Sequence, residues 1–311
     1  MTFKDNNYWA IILGGSSGFG LATAKKLASE GVNICVAHRD RRGSMEKIEP
    51  HFEEIRKTGV KFLPFNLNAL TEEGRNEVLD NLQKELSGGT VRLLLHSIAL
   101  GNLKLIAPEK KDNKKSASDI LAEKLGVDAN KIREISNELF ADGNDEFIHL
   151  TDATEYNNDT FIEDEDMANT IYYMGTNLLT WTMDVYKRKM FADNARVIGL
   201  TSEGNEIAWK GYAAVSAAKV AMESVSRSIA CELGPHGIRS NILQPGVTDT
   251  PALRLIPGSK HMIATSRMRN PLGRLTTPED VADAIYLMCR DEASWINGNI
   301  IRVDGGERIS G

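Results

Sequence analysis

Short apolar runs rich in β-branched residues alternate along most of this chain with longer stretches of helical spacing. The run 9-WAIIL-13 breaks into 14-GGSSGFG-20, and 21-LATAKKLASEG-31 then sets Leu21, Ala24, Leu27 and Ala28 on one helical face before Gly31 stops it. Strand, glycine loop and helix is the order this predicts. Further strands are predicted at 32–37, 60–65, 90–99, 195–202 and 238–246, with 45–59 as a helical connection despite Pro50. The alternation predicts an α/β fold, a doubly wound parallel sheet with helices on both faces.

Residues 101–165 depart from that rhythm, with a lysine-rich stretch (109-EKKDNKK-115), two short predicted helices (117–125 and 129–140) and an acidic run (163-EDED-166). The segment leaves the sheet after the fourth strand, where open α/β sheets bind ligands at their carboxyl ends. It is therefore a helical insertion on the substrate side of a single domain spanning 1–311. Composition adds mainly exclusions. With 311 residues, 41% of them hydrophobic, the chain can bury a large core, and a net charge of −6 gives no general attraction to nucleic acid or an anionic membrane. No run approaches the about 18 apolar residues of a membrane span, and no signal-peptide pattern opens the sequence, so a cytoplasmic location is expected. Cys35, Cys231 and Cys289 are scattered, without the spacing of a metal site.

Two stretches carry chemistry. Gly14, Gly18 and Gly20 follow a strand and open a helix, the context in which backbone N–H groups and a helix N-terminus approach a pyrophosphate. At the end of the second strand, 37-AHRDRR-42 puts His38 where a carboxylate would bind the adenosine ribose, and Arg39 beside it suits a 2′-phosphate. NADPH is the expected cofactor, with an inward-turned Asp40 as the competing arrangement. The second stretch is 211-GYAAVSAAK-219, where Tyr212 and Lys219 stand nearly two helical turns apart. A helix would bring phenol and ammonium to one face and one ligand.

With Asn177 in 175-GTNLL-179, Ser202 in 200-LTSEG-204, 244-QPGVTDT-250, 270-NPLGRLTTPEDVADAIYLM-288 and 298-GNIIRVDGG-306, the chain resembles the short-chain dehydrogenase/reductase family over roughly 8–100 and 167–308. The resemblance implies a Rossmann fold. It adds Ser17, Phe19, Asn66, Leu67, Ser97, Ile98, Ala99, Pro245, Gly246, Thr248 and Thr250 to the glycines, His38, Arg39 and Lys219 as cofactor contacts. Six residues between Tyr212 and Lys219, with Ser216 where most members carry lysine, and the segment 95-LHSIA-99 resemble the divergent branch of enoyl-[acyl-carrier-protein] reductases.

That branch implies hydride transfer from NADPH to C3 of a 2-enoyl thioester. Tyr212 would donate to the forming enolate oxygen, Lys219 would hold the nicotinamide ribose and lower the phenol's pKa, and Ser202 would give a second hydrogen bond. Ser202, Asn177 and the Pro245–Gly246 pair also fit an NADPH-dependent ketoreductase acting on 3-oxoacyl thioesters or another carbonyl. A non-catalytic NADPH-binding scaffold is the third alternative, opposed by the intact Tyr212 and Lys219. His96 is read as a core residue outside the catalytic set. By the same resemblance, 281–288 and 298–306 pack against a neighbouring subunit in a homotetramer. The insertion is expected to lie over the strand ends as a mobile cover, with Ile120, Leu121, Ile132, Ile135 and Leu139 bordering the acyl pocket. Lys110, Lys111, Lys114 and Lys115 would face an acidic acyl-carrier protein.

Overall fold

The computed structural model describes residues 2–110 and 114–310. Its elements run β1 (Tyr8–Leu13), α1 (Gly18–Ser29), β2 (Asn33–His38), α2 (Met45–Arg56), β3 (Phe62–Asn66), α3 (Glu72–Glu85) and β4 (Thr90–His96). The insertion contributes α4 (Ala117–Leu125) and α5 (Ala129–Ala141), and α6 (Asp164–Ile171) and α7 (Asn177–Lys187) lead back to the sheet. Then come β5 (Phe191–Leu200), α8 (Ala213–Leu233), β6 (Ile238–Pro245), α9 (Ser259–Arg269), α10 (Pro278–Cys289) and β7 (Ile300–Val303).

The strands form one sheet in the order β3-β2-β1-β4-β5-β6-β7, every neighbouring pair parallel. Because side chains alternate along a strand, Trp9, Ile11 and Leu13 enter one core layer with Leu178, Trp181 and Met222 of α7 and α8. Ala10 and Ile12 enter the other, with Leu27 of α1, Phe52 of α2 and Ile285 of α10. Both faces are covered, which is why the strands read as unbroken apolar runs. The chain reverses its winding between β1 and β4, and the carboxyl ends of those strands frame the crevice in which the functional residues collect.

Strand ends differ from the sequence expectation where residues serve the crevice. The fourth strand stops at His96, so Ser97, Ile98 and Ala99 leave it as a loop. The predicted pair of insertion helices forms, the first closed by a Ser116–Asp119 capping box and by Gly126 at φ 68°. The insertion rests on α9, on the same end of the sheet as the crevice. His261 Nε2 meets Thr151 Oγ1 at 2.9 Å, the Phe140 ring stacks on His261, and Arg267 pairs with Asp145 at 3.2 Å.

Its apolar positions do not border the pocket. Ile120, Leu121, Ile132, Ile135 and Leu139 are absent from the cavity lining, to which the segment gives Gly101 and Leu103. Ile120 and Ile135 are half exposed, because α4 and α5 pack on each other and on the turn at 145–150, which in turn packs on α9. Lys115 pairs with Glu123 at 2.6 Å and Lys110 is exposed, whereas Lys111 lies outside the described residues.

Candidate active site

The glycine turn is built around close backbone approaches. Gly14 has φ 85°, and a Cβ there would fall 2.4 Å from the Ser97 carbonyl oxygen, so only glycine lets β1 and β4 deliver their loops side by side. Helix α1 then begins at Gly18 with Ser17 at its N-cap, no side-chain cap bond and no acidic residue in its first turn. Its first N–H groups are left to an anion, which is the fit a cofactor pyrophosphate requires.

At the neighbouring strand ends, the His38 ring is turned inward against Phe52 and bonds Asp40 Oδ2 at 2.9 Å. Asn66 accepts from Asp40 N and donates to Asp40 O, both at 3.0 Å, so it fastens the loop after β2. Arg39 is exposed between them. The part-buried Leu67 packs against the core.

A cavity of about 210 Å³ opens beside the turn, lined by Phe19, Ser97, Ile98, Ala99, Pro245, Gly246, Thr248 and Thr250 together with Ser202, Tyr212 and Lys219. The predicted cofactor and catalytic groups thus meet at one place, except that Gly14, Ser17, Gly18, Gly20, His38, Arg39, Asn66 and Leu67 lie outside this cavity at the adjoining strand ends and turn. Tyr212 is the N-cap of α8 rather than a residue of its first turn, because Gly211 turns the chain at φ 71° just before it. Its hydroxyl stands 3.4 Å from Ser202 Oγ. Lys219 Nζ, two turns into the helix, donates to the Leu200 carbonyl at 2.8 Å.

Electrostatics correct one expectation. Burial raises the Tyr212 pKa, with the Ser202 hydrogen bond working the other way. The family resemblance had implied a lowered phenol; here the ammonium is aimed at β5 and desolvation dominates. The phenol is therefore held neutral and ready to donate. Burial also brings Lys219 down to about 8, opposed by Glu223. His96 falls to about 3, first through burial and then through Lys219, so it is a neutral, buried ring at the end of β4.

Two features were not read from the sequence. A five-residue π-turn, Tyr172–Thr176, sets Asn177 at the head of α7, fully buried, with neither amide atom hydrogen-bonded. On the opposite side, Arg269 Nη2 reaches Glu203 at 2.8 Å and Glu307 at 2.9 Å, and Glu206 holds Arg308 at 2.9 Å, making an ion-paired wall against the apolar Leu253, Ile256 and Met262. Glu203, adjacent to Ser202, was the available sequence signal. Its partners are distant in sequence.

A parallel doubly wound sheet with a glycine turn and a tyrosine–lysine pair at its carboxyl end defines a class of dinucleotide-dependent oxidoreductases. The family model described as short chain dehydrogenase matches residues 8–120, and that described as Enoyl-(Acyl carrier protein) reductase matches 156–307, so the chain belongs to the short-chain dehydrogenase/reductase superfamily. What lies between the two matches is most of the insertion.

Among relatives, the cis-4-hydroxycyclohexanecarboxylate dehydrogenase of Sinomonas cyclohexanicum is 36% identical over 115 residues, 37% of this chain and 45% of that one, so the match spans less than half of that relative. The 3-oxoacyl-[acyl-carrier-protein] reductase FabG of Aquifex aeolicus is 24% identical over 98% of this chain and 99% of its own length. The crystal structure of an enoyl-[acyl-carrier-protein] reductase (NADH) from Aquifex aeolicus superposes with a TM-score of 0.69 at 23% identity, covering 98% of this chain and 97% of that one. Among the described residues no helix is long and apolar enough to cross a membrane.

Proposed function

We propose that the protein reduces the C2–C3 double bond of a 2-enoyl thioester with NADPH. The observation that carries this is the pairing of Tyr212 at the N-cap of α8 with Lys219 two turns in, across six residues, at the mouth of a cavity with one long apolar side. Bound NADPH supplies the hydride. The neutral Tyr212 hydroxyl donates to the thioester oxygen as negative charge collects on it, the role of an oxyanion-hole donor. Ser202, 3.4 Å away, supports the same oxygen or orients the phenol. Lys219 holds ribose hydroxyls, and Leu103, Trp209 and Leu255 keep water from the acyl chain.

NADPH is favoured over NADH because the exposed Arg39 stands at the end of β2 while the Asp40 carboxylate is engaged by His38. Arg39→Ala is expected to weaken NADPH binding by roughly 1.5–3 kcal/mol and leave NADH binding unchanged. Equal binding of both cofactors by the parent protein, measured by fluorescence titration, would overturn the assignment.

The alternative, reduction of 3-oxoacyl thioesters, is favoured by the Ser202–Tyr212 pair and by the full-length similarity to FabG. Crotonyl and acetoacetyl thioesters compared by NADPH absorbance decide between them, and a higher kcat/KM for acetoacetyl would establish the ketoreductase. Assembly as a homotetramer is supported by apolar side chains left open around α10 and β7, among them Leu287 at 60% and Trp295 at 94% exposure. Sedimentation velocity tests it. Docking of an acidic acyl-carrier protein would rest on the lysine-rich strip alone, because residues 101–165 hold 8 basic and 16 acidic side chains. Charge reversal at Lys110 and Lys115 that left kcat/KM with carrier-linked substrate unchanged would remove that partner.

A further inference from the structure

Glu223 is a buried carboxylate that the proposed chemistry does not use. It stands on α8 one turn beyond Lys219, with 8% of its surface exposed. Its Oε1 accepts from Thr201 Oγ1 and, at 2.7 Å, from Asn205 Nδ2. Those two donors bracket the turn 202–204. Within it, Ser202 Oγ faces the Tyr212 hydroxyl at 3.4 Å, and Gly204 lies against the Tyr212 ring so closely that a Cβ would fall 2.4 Å from Cε1. One carboxylate oxygen therefore ties both ends of the turn that sets the Ser202–Tyr212 distance to the helix that carries Lys219. Packing alone does not call for a charge here; the adjacent Met222 fills the core beneath Gly199, and an unpaired buried carboxylate is costly.

We propose that Glu223 is a positioning residue for the reacting groups, holding the Ser202 turn in register with Tyr212 and Lys219. The proposal rests on those three residues being the reacting set. A second consequence follows from its place in the helix. The groups facing Lys219 are the neutral His96 from β4, the Leu200 carbonyl from β5 and Glu223 on its own helix. Glu223 is the anion among these, and it opposes the burial that brings Lys219 to about 8. Removing its charge lowers the Lys219 pKa further, so the ammonium that holds the cofactor ribose is lost at a lower pH.

Glu223→Gln and Glu223→Ala separate the two effects, followed by NADPH fluorescence titration from neutral to alkaline pH, steady-state kinetics with the enoyl thioester, and thermal melting. The glutamine keeps an acceptor for Thr201 and Asn205. Its kcat is expected within about threefold of the parent at neutral pH, while the alkaline limit of NADPH binding moves down by about one pH unit. The alanine loses the brace as well, and kcat per folded molecule is expected to fall about 10- to 100-fold with KM for the thioester nearly unchanged.

An alkaline limit identical to the parent's in the glutamine variant, or parental kcat in an alanine variant whose melting alone has changed, would overturn the proposal. If the alanine variant does not fold, Thr201→Val and Asn205→Ala each remove one tie and keep the carboxylate. Lowered kcat in both supports the brace, and unchanged kcat in both refutes it. The binding limit is read without turnover, so failure to reduce any enoyl thioester would sink the proposed substrate and leave this test standing.

Discussion

Near the amino end of the sheet, Arg92 on β4 and Arg196 on β5 are almost wholly buried, and their guanidinium groups close the C-terminus of α10. Arg92 donates to the Cys289 carbonyl at 2.9 and 2.6 Å, and Arg196 to those of Met288 at 2.6 Å and Arg290 at 3.1 Å. At the carboxyl end the buried polar groups are of the same size and less well served. Among the described residues, His96 Nε2, both amide atoms of Asn177, Asn205 Oδ1 and Arg269 Nε have no hydrogen-bond partner, and Glu203 Oε1 and Arg308 Nε meet only as an ion pair at 3.7 Å, against Trp9 Nε1 and Arg92 Nη1 at the other end. One end spends most of its guanidinium donors on helix-terminal carbonyls, with Arg92 Nη1 the exception. The other holds unsatisfied groups around Tyr212 and Lys219, at a cost in stability that a site for binding and hydride transfer accounts for.

The largest effect expected from breaking this contrast is at the carboxyl end and concerns rate. Tyr212→Phe removes the donor to the thioester oxygen, and kcat is expected to fall about a hundred- to a thousandfold, roughly 3–4 kcal/mol in barrier height, with NADPH binding retained. The hydroxyl's contact with Ser202 is long, at 3.4 Å, so the melting temperature should change little. Full activity in this variant would detach the tyrosine from the chemistry.

The next effect lies at the opposite end and concerns stability. Arg196→Met replaces the guanidinium side chain by a shorter apolar one and strands the carbonyls of Met288 and Arg290. A loss of about 3 kcal/mol is expected in denaturant unfolding, with kcat per folded molecule unchanged. A variant as stable as its parent would show that the cap on α10 is neutral. One that folded normally but lost activity would erase the division of labour between the two ends.

How far this division was legible beforehand depends on range. The strands, the glycine turn and the clustering of Ser202, Tyr212 and Lys219 follow from local signals, since a strand buried on both faces is an uninterrupted apolar run and the carboxyl end of such a sheet is where loops converge. The Arg269–Glu203–Glu307 wall was hidden because its members come from loops and helices joined only by tertiary packing. Tyr212 was placed inside a helix because 213-AAVSAAK-219 favours one, but the turn at Gly211 puts the tyrosine at the N-cap. Its raised pKa depends on burial, which spacing does not encode. The insertion helices were foreseen in extent and misjudged in facing. Amphipathic spacing says that an apolar stripe is covered, and here the cover includes α9 rather than a ligand.

The smallest effect sharpens the comparison most, because it predicts a gain where the amino end predicts a loss. Asn177 is completely buried and neither atom of its amide is bonded, at the point where the π-turn Tyr172–Thr176 gives way to α7. Leucine has a similar shape and removes two polar atoms that make no close hydrogen bond; the neutral His96 ring faces them, and its Nε2 is itself unbonded. Replacing such a group by an apolar one is neutral to stabilising, so Asn177→Leu should gain about 1 kcal/mol, or about 2 °C in melting temperature for a chain of this size. The same change removes an amide that faces His96, the ring next to Lys219, and kcat is expected to fall. Higher stability with lower activity would mark Asn177 as retained for function. A destabilised variant would mean that the amide is satisfied by a buried water that leucine displaces, and would move Asn177 from the strained set to the structural one.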